Sequence, residues 1–175
     1  NSVSGEEKKL DVILPLAKDR GAALIGLTMD DNGIPKTPEE RVAVAEKILD
    51  RANKLGIATE DVIIDPLVLT VGSDSKAALV TLQTVELLRK TFGVNINLGA
   101  SNVSYGLPER PIINATFLSL GIQAGATCSI TDPVKFGQTV RAADLLLGRD
   151  ANSMRYLKYF RTVEKLREAE AAKTG

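Results

Sequence analysis

The chain contains no histidine. That excludes a Ser-His-Asp or Cys-His relay, an imidazole general base and a histidine-rich zinc site. It has one cysteine, Cys128, so no disulfide can form within it. A lone thiol suits a reducing compartment, and a cytoplasmic location is expected. An excess of either charge is also missing, with 22 Lys plus Arg against 22 Asp plus Glu. Such a balance makes a poor electrostatic partner for nucleic acid. No apolar run reaches membrane-spanning length, and no signal-peptide pattern opens the sequence. Chemistry must therefore rest on carboxylates, amides, Arg or Lys, backbone groups or a bound cofactor.

What is present is enough for one sizeable core. The 175 residues are 44% hydrophobic and 25% charged, and residues 1–175 read as a single domain. Short apolar runs alternate with longer amphipathic ones. Glu6 to Asp19 reads as a helix, with Ser4 and Glu7 spaced as a capping box and Pro15 inside. Ala22 to Met29 reads as a buried strand. Thr37-Pro38-Glu39-Glu40 is a complete helix-start signal, and that helix runs to about Leu55. A strand at Val62 to Ile64 leads into Asp65-Pro66. A helix opening at Ser73 to Lys76 ends at Gly93. A strand over Asn95 to Gly99 follows, then a helix from Pro111 to about Gln123. A strand over Thr127 to Thr131 leads into Asp132-Pro133. Helices over Val134 to Leu147 and Ser153 to about Ala172 close the chain.

Strands thus begin near residues 22, 62, 94 and 126, spaced by 40, 32 and 32 residues. Strand–helix alternation at that period argues for a parallel sheet in an α/β fold. An open doubly wound sheet and a (β/α)8 barrel both satisfy it. Length alone favours the open sheet, since a barrel takes roughly 250 residues. In either architecture, active groups gather at the carboxyl ends of strands. Those ends carry Asp30 and Asp31, Asp65, Ser101-Asn102 and Asp132. A carboxylate and amides on one rim suit a heterocycle bearing several N–H groups and a carbonyl. Each has an ordinary reading too. Asp-Pro starts turns, Asn102 suits a turn, Arg110 suits a solvated surface, and Cys128 in an apolar strand suits the core. No phosphate-binding glycine motif is present.

Several segments together carry a resemblance. They are Asn1-Ser2-Val3-Ser4-Gly5-Glu6, Gly26-Leu27-Thr28-Met29-Asp30 with Gly33-Ile34-Pro35-Lys36-Thr37, and Ile64-Asp65-Pro66-Leu67. Gly99-Ala100-Ser101-Asn102-Val103-Ser104-Tyr105-Gly106-Leu107-Pro108, Asn114-Ala115-Thr116-Phe117-Leu118 and Asp132-Pro133 complete the set. In this order and spacing the chain resembles the methyltetrahydrofolate:corrinoid/iron-sulfur protein methyltransferases. The folate module of cobalamin-dependent methionine synthase is similar. The resemblance implies a pterin-binding (β/α)8 TIM barrel. This chain would cover the end of strand four through strand eight and the C-terminal helices, and would be incomplete at its N-terminus.

It also implies methyl transfer between N5 of methyltetrahydrofolate, as substrate, and the cobalt of a corrinoid. The corrinoid (cobalamin type) would be carried by a partner corrinoid iron-sulfur protein, and a homodimer is implied. Carried over residue by residue, the folate-binding set is Asn1, Asp65, Ser101, Asn102, Arg110 and Ile130. Asn102 would be the catalytic residue at N5, and no residue is assigned to a metal. Some relatives carry Gln where Tyr105 stands. Two other readings of the resemblance are a folate-binding module of a larger methionine synthase and an inactive barrel fragment. Dihydropteroate synthases share the pocket but use an Arg-x-His phosphate motif that a chain without histidine cannot supply.

Overall fold

The structure is a computed structural model that describes residues 2–174, leaving aside the side chains of Arg167, Glu170, Lys173 and Thr174. Among the described residues, five parallel strands alternate with six α-helices. The strands are β1 (Ser2–Ser4), β2 (Leu24–Leu27), β3 (Val62–Asp65), β4 (Asn97–Leu98) and β5 (Cys128–Ser129). The helices are α1 (Glu7–Arg20), α2 (Pro38–Lys54), α3 (Ala77–Phe92), α4 (Arg110–Ala124), α5 (Pro133–Leu146) and α6 (Met154–Thr174). Strands β1, β2 and β3 pair in that order, and β4 pairs with β5. A single parallel bridge, Ile64 to Ile96, links the two groups. The α/β expectation therefore holds, with every strand pairing parallel. The strands are shorter than their apolar runs, because the outer residues of each run serve the connecting loops.

Side chains alternate across a strand, and here the two faces differ. Val3, Leu24, Val62, Ile64, Ile96 and Leu98 are each no more than 3% exposed. They form the core with the buried helix residues Ile48, Leu88 and Leu118. Gly26 lies on this face because a Cβ there would come within 3.2 Å of the Ile48 side chain. The opposite face carries Ser4, Leu27, Asp65 and Asn97, with Ile25 and Ile63 half-exposed.

Helix starts follow their local chemistry unevenly. At α2, Thr37 Oγ1 accepts from the Glu40 N–H and the Glu40 carboxylate accepts from the Thr37 N–H. This is the expected capping box, worth about 1 kcal/mol. The Ser4–Glu7 box does not form. Ser4 stays in β1 and donates to Glu6 Oε2 at 2.5 Å, and Glu6 becomes the N-cap. Pro15 is accommodated inside α1, and its ring is exposed.

The described residues divide into two compact units, one ending at Thr131 and the other starting at Asp132. In the second, the Arg141 guanidinium lies 3.9 Å from the Tyr159 ring centroid. Asp150 accepts from the N–H groups of Arg155 and Tyr156, both at 2.9 Å, which anchors the start of α6. Along α6, Tyr156, Tyr159 and Val163 are half-buried, whereas Phe160 and Leu166 are exposed. Among the described residues no helix is long and apolar enough to cross a membrane.

Candidate functional site

Asp65 is the last residue of β3 and is only 9% exposed. Both of its carboxylate oxygens are held. Oδ1 accepts the Leu67 N–H at 2.9 Å, and Oδ2 accepts the Asn97 side-chain amide at 2.8 Å. A buried carboxylate loses hydration, and that loss raises its pKa above the ordinary carboxylate value. The bonds from Leu67 and Asn97 pull the other way and do not cancel it. The backbone beneath is fixed by Thr28, whose N–H and hydroxyl donate to the Asp65 carbonyl at 3.1 and 3.2 Å. Each carboxylate oxygen keeps a lone pair beyond the bond it already accepts. The group can therefore still receive two parallel N–H donors.

Asn97 was not among the residues singled out in the sequence, where it read as part of a strand. The signal was available in the period. Ile64 bridges Ile96, so the next residues, Asp65 and Asn97, are lateral neighbours, and Asn97 in turn registers with Cys128. A polar residue between Ile96 and Leu98, 32 positions after Asp65, marks the face away from the helices.

The segment after β4 folds as a short 3-10 turn over Ala100–Ser104. Asn102 sits in it, with its N–H on the Gly99 carbonyl at 3.1 Å. Its side chain is exposed and makes no hydrogen bond among the described residues. Gly99 leaves room for it, since a Cβ at 99 would lie 3.2 Å from Asn102 Nδ2. Arg110 braces this turn. Its Nε donates to Ser104 Oγ at 3.1 Å and its Nη2 to the Ser101 carbonyl at 3.0 Å. The Ser104 hydroxyl in turn donates to Asn114 Oδ1 at 2.6 Å. The Arg110 donors shown are thus spent on the loop that presents Asn102.

Ser101 is half-buried, and Ile130 is 64% exposed with its N–H on the Leu98 carbonyl. Asn1 lies outside the described residues. Of the other strand-end acids, Asp30 closes its own loop through the Asn32 N–H, and Asp31 accepts the Glu7 N–H at the start of α1. Asp132 caps α5, accepting from the N–H groups of Val134 and Lys135. Cys128 corrects the reading of it as a core residue, for the residue is exposed, with its Sγ donating to the Ile96 carbonyl at 3.5 Å. A groove of about 700 Å3 opens on the loop after β2, but Asp65, Asn97 and Asn102 do not line it.

Asp65 is thus a buried carboxylate paired with the Asn97 amide, and Asn102 is an exposed amide on the loop after the neighbouring strand β4. The chain belongs to the pterin-binding enzymes, whose family model matches residues 1–132. It is 34% identical to the methylcorrinoid:tetrahydrofolate methyltransferase of Eubacterium limosum over 166 residues, 92% of this chain and 61% of that protein. It is 28% identical to the methionine synthase of Mycobacterium tuberculosis and 30% to that of Mycobacterium leprae, over 75% of this chain. Only 12% of each synthase is covered. The chain thus spans 61% of the methyltransferase's length and a small fraction of each synthase.

Proposed function

We propose that this chain binds methyltetrahydrofolate for a methyltransferase that moves the N5 methyl group to or from the cobalt of a corrinoid on a partner protein. The observation that carries the proposal is Asp65, a nearly buried carboxylate held on both oxygens yet with acceptor capacity left. The amino-pyrimidine edge of a pterin offers adjacent N–H donors that match such a group. The methyltransferase relative, whose printed name couples a methylcorrinoid to tetrahydrofolate, supports the reaction class. Among the described residues no cluster of three His, Cys, Asp or Glu side chains could hold a metal. The corrinoid supplies the cobalt that is the other terminus of the transfer.

Asp65 binds and orients the ring. Asn102 faces N5 with an amide that no described protein group occupies. When the N5–methyl bond breaks, N5 must gain a proton to leave as a neutral amine. Asn102 cannot titrate, and the chain has no histidine. With no titrating group assigned beside N5, solvent supplies the proton in this reading, and the amide oxygen accepts the resulting N5–H. In the reverse direction the same oxygen holds N5 as it loses that proton.

The finer architecture belongs to this reading. In this reading the five parallel strands correspond to strand four through strand eight of a (β/α)8 barrel. Homodimerisation and a cytoplasmic location rest on the resemblance and the lone cysteine. The second reading, a folate module of a methionine synthase, is favoured by the 75% coverage of this chain in both mycobacterial synthases. Asn102→Ala in the full-length protein should cut the methyl-transfer rate at least tenfold while changing folate affinity less than threefold. Equal losses in both would remove Asn102 from the reacting nitrogen. Transfer that requires homocysteine as final acceptor would favour the synthase.

A further inference from the structure

Arg41 lies in the first turns of α2 and is only 2% exposed. Its partners are carbonyls from two different loops. Nε donates to Pro35 at 3.0 Å, and Nη1 donates to Pro66 at 2.7 Å and Leu67 at 3.0 Å. No carboxylate pairs with it among the described residues. A buried cation without a counter-charge is costly. The positive end of its own helix adds repulsion. Burial accordingly lowers its pKa below the ordinary guanidinium value. Hydrogen bonds to three carbonyls offset that cost, and each carbonyl would lose this donor if an apolar side chain stood here.

In one of the loops it grips, Leu67 has φ of 61°, a left-handed conformation that a side chain with a Cβ rarely adopts. The Leu67 N–H that donates to Asp65 Oδ1 lies in the same peptide plane as the Pro66 carbonyl, so whatever holds that carbonyl orients the donor. The two carbonyls flanking that strained residue are the two that Arg41 Nη1 holds, and Thr81 Oγ1 adds a long contact to the second at 3.4 Å. We propose that Arg41 is a positioning residue: it clamps Leu67 in its left-handed state and so aims Asp65 at the ligand. The proposal rests on the folate reading, because Asp65 is the group positioned.

The test uses the full-length protein, methyltetrahydrofolate titrated by calorimetry, and amide hydrogen exchange without ligand. Arg41→Met should weaken folate binding at least tenfold. Adding Leu67→Gly should recover most of that loss, since glycine holds a positive φ without a clamp. Binding within twofold of wild type in Arg41→Met, or no recovery in the double variant, overturns the proposal. If Arg41→Met does not fold, Arg41→Lys replaces it. A lysine is a point donor that cannot span both loops, and at least threefold weaker binding is expected, with unchanged binding overturning the idea. Exchange at the Leu67 amide should accelerate at least tenfold more than at the Ile64 amide. A general loosening moves both alike and would overturn the clamp. If wild-type protein binds no folate, the functional reading fails, and the exchange ratio alone decides the role of Arg41.

Discussion

Asp65-Pro66 and Asp132-Pro133 are the same dipeptide at the same kind of place, the carboxyl end of a strand. Their local geometry is also alike, for each carboxylate accepts the N–H two residues on, Leu67 at 2.9 Å and Val134 at 3.0 Å. The surroundings separate them. Asp132 is exposed, caps a helix that begins at once, and has a lowered pKa, led by the Lys135 backbone bond. Asp65 is buried, takes its second bond from Asn97 rather than a helix, and has a raised pKa because burial dominates. A turn motif therefore says little about function. What the second carboxylate oxygen meets, and whether water reaches it, says more.

The largest effect should separate the pair in binding. Asp65→Asn replaces a charge-assisted acceptor with a neutral amide and should weaken methyltetrahydrofolate binding by about 100-fold, or about 2.7 kcal/mol. Asp132→Asn should leave affinity within about twofold. Comparable losses at both positions would collapse the distinction. Next in size, Asn97→Leu removes the bond that orients Asp65 Oδ2 and should cost about tenfold in the same titration. An unchanged affinity would reduce Asn97 to a packing residue.

Much of this was legible before the structure. The strand period, the Thr37–Glu40 cap and the candidacy of Asp65 follow from local chemistry, and local chemistry is what a sequence displays. Asn97 and Arg41 were not singled out. Asn97 matters through a lateral register across β3 and β4, which no single segment shows. Arg41 sits among Glu39, Glu40 and Glu46 in a charged helix and reads as solvated surface. Its burial arises only when the loops after β2 and β3 converge on it. Cys128 erred for a related reason. An apolar strand implies two covered faces, and the face of β5 that carries Cys128 is open here. Ser4 and Glu7 had the spacing of a cap, but strand pairing with Leu27 held Ser4 in extended backbone.

Stability should divide the two aspartates more modestly. Asp132→Ala removes two bonds to the free N–H groups at the start of α5. The thermal midpoint should fall by about 2–4 °C, the range for losing one cap in a protein of this size. Asp65→Ala removes a buried charge as well as its bonds, so the two effects oppose and the midpoint should move less. A larger fall at Asp65 than at Asp132 would mean that the buried carboxylate is retained for stability.

The smallest effect is the most diagnostic, because its sign differs between the two. The raised pKa of Asp65 means that the folded state binds its proton more tightly than the unfolded chain does. Between the ordinary value of about 3.9 and the higher folded value, stability falls as pH rises. The lowered pKa of Asp132 gives the reverse. Its contribution is present above about pH 3.9 and is lost as pH falls through the lower folded value. Urea unfolding of each Asn variant, subtracted from wild type across this range, isolates the two. Asp65→Asn should remove a decline above the ordinary carboxylate value, and Asp132→Asn a rise below it. Bound methyltetrahydrofolate sharpens the contrast. Ring N–H donors favour the ionised carboxylate, so ligand should pull the Asp65 transition toward lower pH and leave that of Asp132 where it was. Movement of both, or of neither, would separate the pterin from Asp65.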